Sequence, residues 1–204
     1  MIYDLTTLAL LPNRIGAVMP KLAETYANFS STGRPLGVFS IEFGGLNRFH
    51  FLTEYENVEA LNAERARCLE AYDPYRLAEH LGGVERTAFK ALGFARPLKP
   101  GNYGPFYEFR TYTVAPHGMD ETEAAWEKGL PAREEISPLL TIMKSVEGAP
   151  TKMLHIWPYK TLDERTAARA EGSRRGVWPP AGGSVHLTSL QSELAVAAAC
   201  SDLA

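Results

Sequence analysis

The sequence predicts an α+β fold made of two copies of one structural unit. One observation is a gapless self-similarity at an offset of 104 residues, which places Tyr3 on Tyr107, Thr7 on Thr111, Pro12 on Pro116, Leu36 on Leu140, Gly44 on Gly148, Tyr55 on Tyr159 and Arg65 on Arg169. The other is element order. Each half reads strand, helix, strand, turn, strand, helix, strand, from the alternation of period-two and helical apolar patterns.

Residues 2–11 read as the first strand, closed by Pro12 and Asn13. Ile15, Met19, Leu22, Tyr26 and Phe29 then form the stripe of one amphipathic helix lying on a sheet. Residues 30–35 break it. Residues 36–43 and 46–54 read as two strands, with Gly44 and Gly45 suited to a two-residue hairpin turn. Asn57 is placed as the N-cap of the second helix. In the second half its equivalent is Thr161, with Glu164 three residues on as a capping box. An extra helical segment is expected near residues 74–81, and the closing strand within 84–94. Residues 95–104, with Pro97, Pro100, Gly101 and Gly104, read as the linker. The second closing strand spans about 184–198. The domains are therefore 1–98 and 104–204.

The order β-α-β-β-α-β makes each half a ferredoxin-like unit, with a four-stranded antiparallel sheet and both helices on one face. Met153-Leu154-His155-Ile156-Trp157 is apolar or aromatic on both alternating sets, so this strand is expected to be buried on both sides. The bare sheet faces are then expected to pair, sheet against sheet, as an α+β barrel. That pairing joins the two halves of one chain or, in a homodimer, two chains.

The chain carries 21 Lys and Arg against 24 Asp and Glu, with no basic cluster, so nothing marks a nucleic-acid surface. No run approaches the roughly 20 apolar residues that span a bilayer, and the N-terminal residues lack the pattern of a signal peptide, so a cytoplasmic protein without membrane insertion is expected. Cys68 and Cys200 have no cysteine at their repeat-equivalent positions and read as reduced packing residues. The five histidines stand singly, with no metal-ligand spacing. No glycine-rich phosphate loop and no Gly-x-Ser-x-Gly elbow occurs.

Four groups of residues, in order, resemble the NIPSNAP family: Tyr107-Glu108-Phe109-Arg110-Thr111-Tyr112; Trp126-Glu127-Lys128-Gly129-Leu130-Pro131; Ser137-Pro138-Leu139; and His155-Ile156-Trp157-Pro158-Tyr159, followed by Leu162 and Glu164-Arg165. The resemblance spans the second half, with the first as a more diverged copy. It implies tandem domains of the dimeric α+β barrel superfamily and supplies no catalytic residues. That superfamily includes cofactor-free monooxygenases, haem enzymes, small isomerases and ligand-sensing domains. Haem enters only through that analogy, and the sequence itself indicates no cofactor.

The candidate catalytic residues are His155 and Arg110, and the candidate ligand contacts are Glu108, Tyr112, Trp157 and Tyr107. His155 stands where the first half has Phe51, an imidazole in an apolar wall. It reads as a general base, a ligand contact or a haem ligand, or else as a core histidine satisfied by its neighbours. Glu108 and Arg110 share a strand face. If that face lines the barrel, Arg110 is placed to clamp a carboxylate or enolate; otherwise the two form an internal ion pair. Tyr107, Tyr112 and Trp157 furnish an aromatic wall or ordinary core. Arg133, Glu134 and Glu135 read as a solvated face or a helix start, and Trp178-Pro179-Pro180 as a rigid turn before the last strand, with a pocket rim as the lesser alternative. Two functions fit: a barrel pocket that binds or transforms a small aromatic or acidic molecule, monooxygenase-like or isomerase-like, or a non-catalytic scaffold with a side-chain-filled barrel. Any pocket is expected nearer the second copy.

Overall fold

The computed structural model describes residues 1–204 as two compact units. One comprises Met1–Lys90, Lys99–Asn102 and Ala195–Ala204; the other comprises Ala91–Leu98 and Tyr103–Leu194. The strands follow one another as β1 (Ile2–Leu10), β2 (Arg34–Phe43), β3 (Arg48–Tyr55), β4 (Leu81–Ala91), β5 (Phe106–Val114), β6 (Thr141–Ser145), β7 (Lys152–Tyr159) and β8 (Leu187–Ala197). Their hydrogen-bonded order is β1-β3-β2-β8-β5-β7-β6-β4, a closed barrel.

In the first unit β1 lies between β3 and β4, and β2 pairs with β3, all antiparallel, which is the ferredoxin-like order. The repeat is preserved down to strand register. Ile2 faces Tyr55 as Phe106 faces Tyr159, and Val38 faces Phe51 as Ile142 faces His155. The two glycines do not form a two-residue turn. Four residues separate β2 from β3, with positive φ at Gly44 and Asn47 and an exposed Leu46.

The expected first helix is broken into α1 (Ile15–Val18), a 3-10 turn (Met19–Lys21) and α2 (Leu22–Ala27). Pro20 has no N–H to donate and crowds the preceding turn, so the helix cannot run through it. Of the expected stripe, Leu22, Tyr26 and Phe29 are buried with Val18, while Ile15 and Met19 are exposed. The second unit has Ala124 at the position of Pro20, and α4 (Met119–Glu134) runs unbroken through it. The caps occur where the sequence places them. Asn57 accepts from Ala60 N at 2.9 Å to start α3 (Val58–Glu70), and Thr161 accepts from Glu164 N at 3.0 Å to start α5 (Leu162–Arg174). The extra helical segment is one short 3-10 turn, Ala78–His80, and β4 begins earlier than expected because it follows that turn directly.

In each unit one face of the sheet meets the helices. Leu8, Leu10, Phe49 and Phe51 pack with Val18, Leu22, Tyr26 and Phe29 in the first. Tyr112, Val114, Met153, Trp157 and Tyr159 pack with Trp126, Leu130 and Ala168 in the second. Residues 153–157 are buried on both faces. Cys68 and Cys200 are free thiols packed against the first unit's core, where burial pushes both up. No helix is long and apolar enough to cross a membrane.

Candidate functional site

Strand alternation places Glu108, Arg110 and Tyr112 on one face of β5, and Met153, His155, Trp157 and Tyr159 on the matching face of β7. This face packs on the helices of the second unit. Of the two readings of Glu108 and Arg110, a clamp lining the barrel or an internal ion pair, the structure has the ion pair, on the helix-facing side; because both faces of β7 are apolar, pattern alone does not distinguish them. Tyr107 points to the opposite face of β5 from Glu108 and Arg110, and the structure does not bring it to them.

Between sheet and helices lies a cavity of about 220 Å³ lined by Glu108, Arg110, Trp157 and Tyr159 from the sheet, Arg133 from α4, Arg169 and Ser173 from α5, and Trp178 and Pro179 beyond it. The first unit also has a cavity, of about 350 Å³ and lined by Cys68, Leu69, Pro74, Tyr75, Val84 and Arg86, but the positions of Arg133 and His155 hold aromatic rings. There Phe29 stacks on Phe51 with centroids 4.0 Å apart, and Tyr75 closes on Phe29 at 5.1 Å. The equivalents of Phe29, Phe51 and Tyr75 are Arg133, His155 and Pro179. Two stacked phenyl rings are thus replaced by a guanidinium and an imidazole.

The charges are arranged around one carboxylate. Glu108 is 1% exposed, and its Oε1 accepts from Arg165 Nη2 at 2.6 Å, Arg110 Nη1 at 2.8 Å and Ser192 Oγ at 2.8 Å. Burial alone would raise its pKa. The hydrogen bond from Arg165 and the charge of Arg110 outweigh that and hold the carboxyl below its ordinary range. Arg110 also donates from Nε to Tyr112 Oη at 2.7 Å, which fixes its side chain between two partners. Tyr112 supports the pocket from behind that arginine.

Arg133 is 2% exposed and is not on a solvated face, which corrects the sequence reading. Its guanidinium carbon lies 4.6 Å from the Trp157 ring centre and 5.9 Å from that of Trp178, and its Nε and Nη1 have no hydrogen-bond partner. Burial pulls its pKa down. Trp178 packs edge-on to Trp126 and Trp157 and forms a wall of the cavity, the lesser of the two readings of this turn.

His155 is fully buried. Its ring lies 4.7 Å from those of Tyr112 and Trp126, and Trp157 Nε1 donates to its Nδ1 at 2.6 Å. An indole N–H only donates, so Nδ1 is the acceptor and the proton of the neutral ring is assigned to Nε2, which has no partner. Burial first, then the charges of Arg110, Arg133 and Arg169, hold its pKa well below the ordinary value. This enclosed ring does not fit the role of a haem ligand: one nitrogen is occupied by Trp157 and aromatic rings surround it. No group of three His, Cys, Asp or Glu side chains is placed to hold a metal.

Arg133, Arg165 and Arg169 are not among the residues expected at a site, whereas Trp178 and Pro179 take the pocket-rim alternative. A signal for the first was present: Phe29 and Phe51 change together to Arg133 and His155 across the repeat.

The NIPSNAP family profile matches residues 3–88 and 107–201, covering both units. The chain belongs to the NIPSNAP family. This NIPSNAP protein is similar to a NipSnap homolog of Dictyostelium discoideum, 24% identical over 178 residues, covering 87% of this chain and 78% of the relative. Among solved structures it resembles an anthrone oxidase-like protein, with a TM-score of 0.72 at 12% identity, covering 97% of this chain and 91% of the other. It also resembles a putative monooxygenase from Lactobacillus acidophilus NCFM, with a TM-score of 0.64 at 8% identity, covering 96% and 93%. At these identities the likeness is one of fold.

Proposed function

We propose that this NIPSNAP protein binds a small acidic aromatic molecule in the cavity of the second unit, with the acid against Arg133 and the ring against Trp157 and Trp178. The observation that carries this reading is the buried Arg133 guanidinium with two nitrogens unpartnered on a cavity wall. Arg133 is hydrogen-bonded to Tyr159, but a buried cation with two unpartnered nitrogens is costly, and an anionic ligand offsets that cost. The neighbouring carboxylate is engaged by Arg110 and Arg165, so the cavity keeps an excess of positive charge.

The surroundings of His155 favour binding over proton transfer. Its Nδ1 is committed to Trp157, and burial, with the charged neighbours second, keeps it neutral. The relatives named as oxidase-like or monooxygenase share the fold, and that analogy supports a small-molecule site without assigning a reaction. The free thiols accord with a reducing, cytoplasmic compartment.

Calorimetric titration with salicylate at pH 7.5 tests the reading. Saturable binding is expected in the wild type, with loss in Arg133→Leu at an unchanged circular dichroism spectrum. A wild type that binds neither salicylate nor benzoate overturns it.

A further inference from the structure

We propose that the cavity takes a doubly charged anionic group held between Arg133 and Arg169, and so selects aromatic diacids over monoacids. This rests on the acid-binding reading and names its ligand class.

The first unit holds the simpler form of the charged arrangement. Arg65 Nη2 contacts Asp4 Oδ1 at 3.0 Å, one cation from the second helix on one carboxylate of the first strand. The same positions in the second unit hold Arg169 and Glu108. There Glu108 is engaged by two arginines that the first unit lacks: Arg165 replaces Leu61, and Arg110 replaces Thr6. Arg169 Nη1 keeps only a longer ion pair with Glu108, at 3.7 Å and beyond hydrogen-bonding distance, and its half-exposed side chain lines the cavity. The arginine that hydrogen-bonds an internal carboxylate in one unit is thus held more loosely by it in the other, on the cavity wall.

Arg133 is the second guanidinium on that wall, with Nε and Nη1 unpartnered. Arg169 is among the charges that Arg133 senses, so the two cations share one electrostatic environment. A single carboxylate compensates one of them. Two adjacent carboxylates, or a phosphate dianion, compensate both. The volume of about 220 Å³ lies below the usual range for drug-sized ligands and suits a single ring bearing such a group. In this arrangement Arg110 and Arg165 are positioning residues that act by occupying Glu108.

The test compares benzoate, phthalate and phenyl phosphate by calorimetry at pH 7.5 and fixed ionic strength. At least one diacid is expected to bind about tenfold or more tightly than benzoate. Preference for phthalate identifies a dicarboxylate, and preference for phenyl phosphate a phosphate ester. In Arg169→Leu the preference is expected to collapse while benzoate still binds. Arg165→Leu restores the first unit's residue, lets Arg169 return to Glu108, and is expected to weaken the diacid more than benzoate. Equal affinities for the three probes in the wild type, or an undiminished preference in Arg169→Leu, overturn the clamp and leave the acid-binding reading standing. Failure of all three probes to bind overturns both.

Discussion

The guanidinium carbon of Arg133 stands 4.6 Å from the centre of the Trp157 ring, inside a core that in the other copy of the same unit is made of stacked phenyl rings. Attraction to the ring face and the hydrogen bond to Tyr159 offset only part of what burying a cation with two unpartnered nitrogens costs. Arg133→Leu is therefore expected to unfold at higher urea than the wild type in the absence of ligand, by about 1 kcal/mol of stability. A variant less stable by the same amount shows that the ring contacts outweigh the desolvation.

His155 links stability to pH. Its folded pKa lies below the ordinary histidine value, so between the two the unfolded chain binds a proton that the folded chain does not. The stability it contributes is present above about pH 6.5 and is lost as pH falls toward the folded pKa, with a limiting slope of about 1.4 kcal/mol per pH unit. Urea midpoints at pH 7.5 and 5.5 are expected to differ less in His155→Phe than in the wild type. At pH 7.5 the same variant is expected to lose about 1–3 kcal/mol, because Trp157 Nε1 is left without its acceptor.

Glu108→Gln is expected to cost more than Asp4→Asn. Glu108 neutralises Arg110 and Arg165 together, whereas the first unit pairs Asp4 with Arg65. Removing a buried carboxylate strands its cations, at a cost of about 3–5 kcal/mol where they too are buried. Denaturant unfolding of the two variants measures the difference, and equal losses contradict the assignment of Glu108 as the shared partner.

The Trp178 wall depends on close approach to a helix. A Cβ on Gly129 would lie 2.5 Å from Pro180 Cβ, and one on Gly172 would lie 3.2 Å from Trp178 Cβ. Alanine at position 129 raises helix propensity by about 1 kcal/mol, but the rigid proline ring cannot yield without moving the wall. Gly129→Ala is expected to be destabilised, with a red-shifted tryptophan emission as Trp178 leaves its aromatic neighbours. Unchanged emission and stability show that the segment accommodates a methyl group there.

Much of the fold is legible in the residues. The offset that pairs Tyr3 with Tyr107 also predicts matching strand register, because cross-strand contacts repeat when the residues making them repeat. Asn57 and Thr161 mark helix starts through side-chain chemistry that needs only a few neighbouring residues. The candidate site is less legible. Alternation groups Glu108 with Arg110, but Arg133, Arg165, Arg169 and Trp178 come from segments far along the chain, and no local pattern brings them together.

By itself the sequence determined two duplicated units, their strand order, their caps and the burial of residues 153–157, since these follow from periodicity and local hydrogen bonding. It also determined that the second copy alone carries an imidazole at position 155 and a guanidinium at position 110. Tertiary structure decided which face of β7 meets the helices, since an element apolar on both sides carries no periodic signal to choose between them. It also decided that Arg133 is buried. A long cationic side chain near a helix end reads as solvated until the space beneath it is known, and here that space is the one its counterpart Phe29 occupies with Phe51 in the first unit.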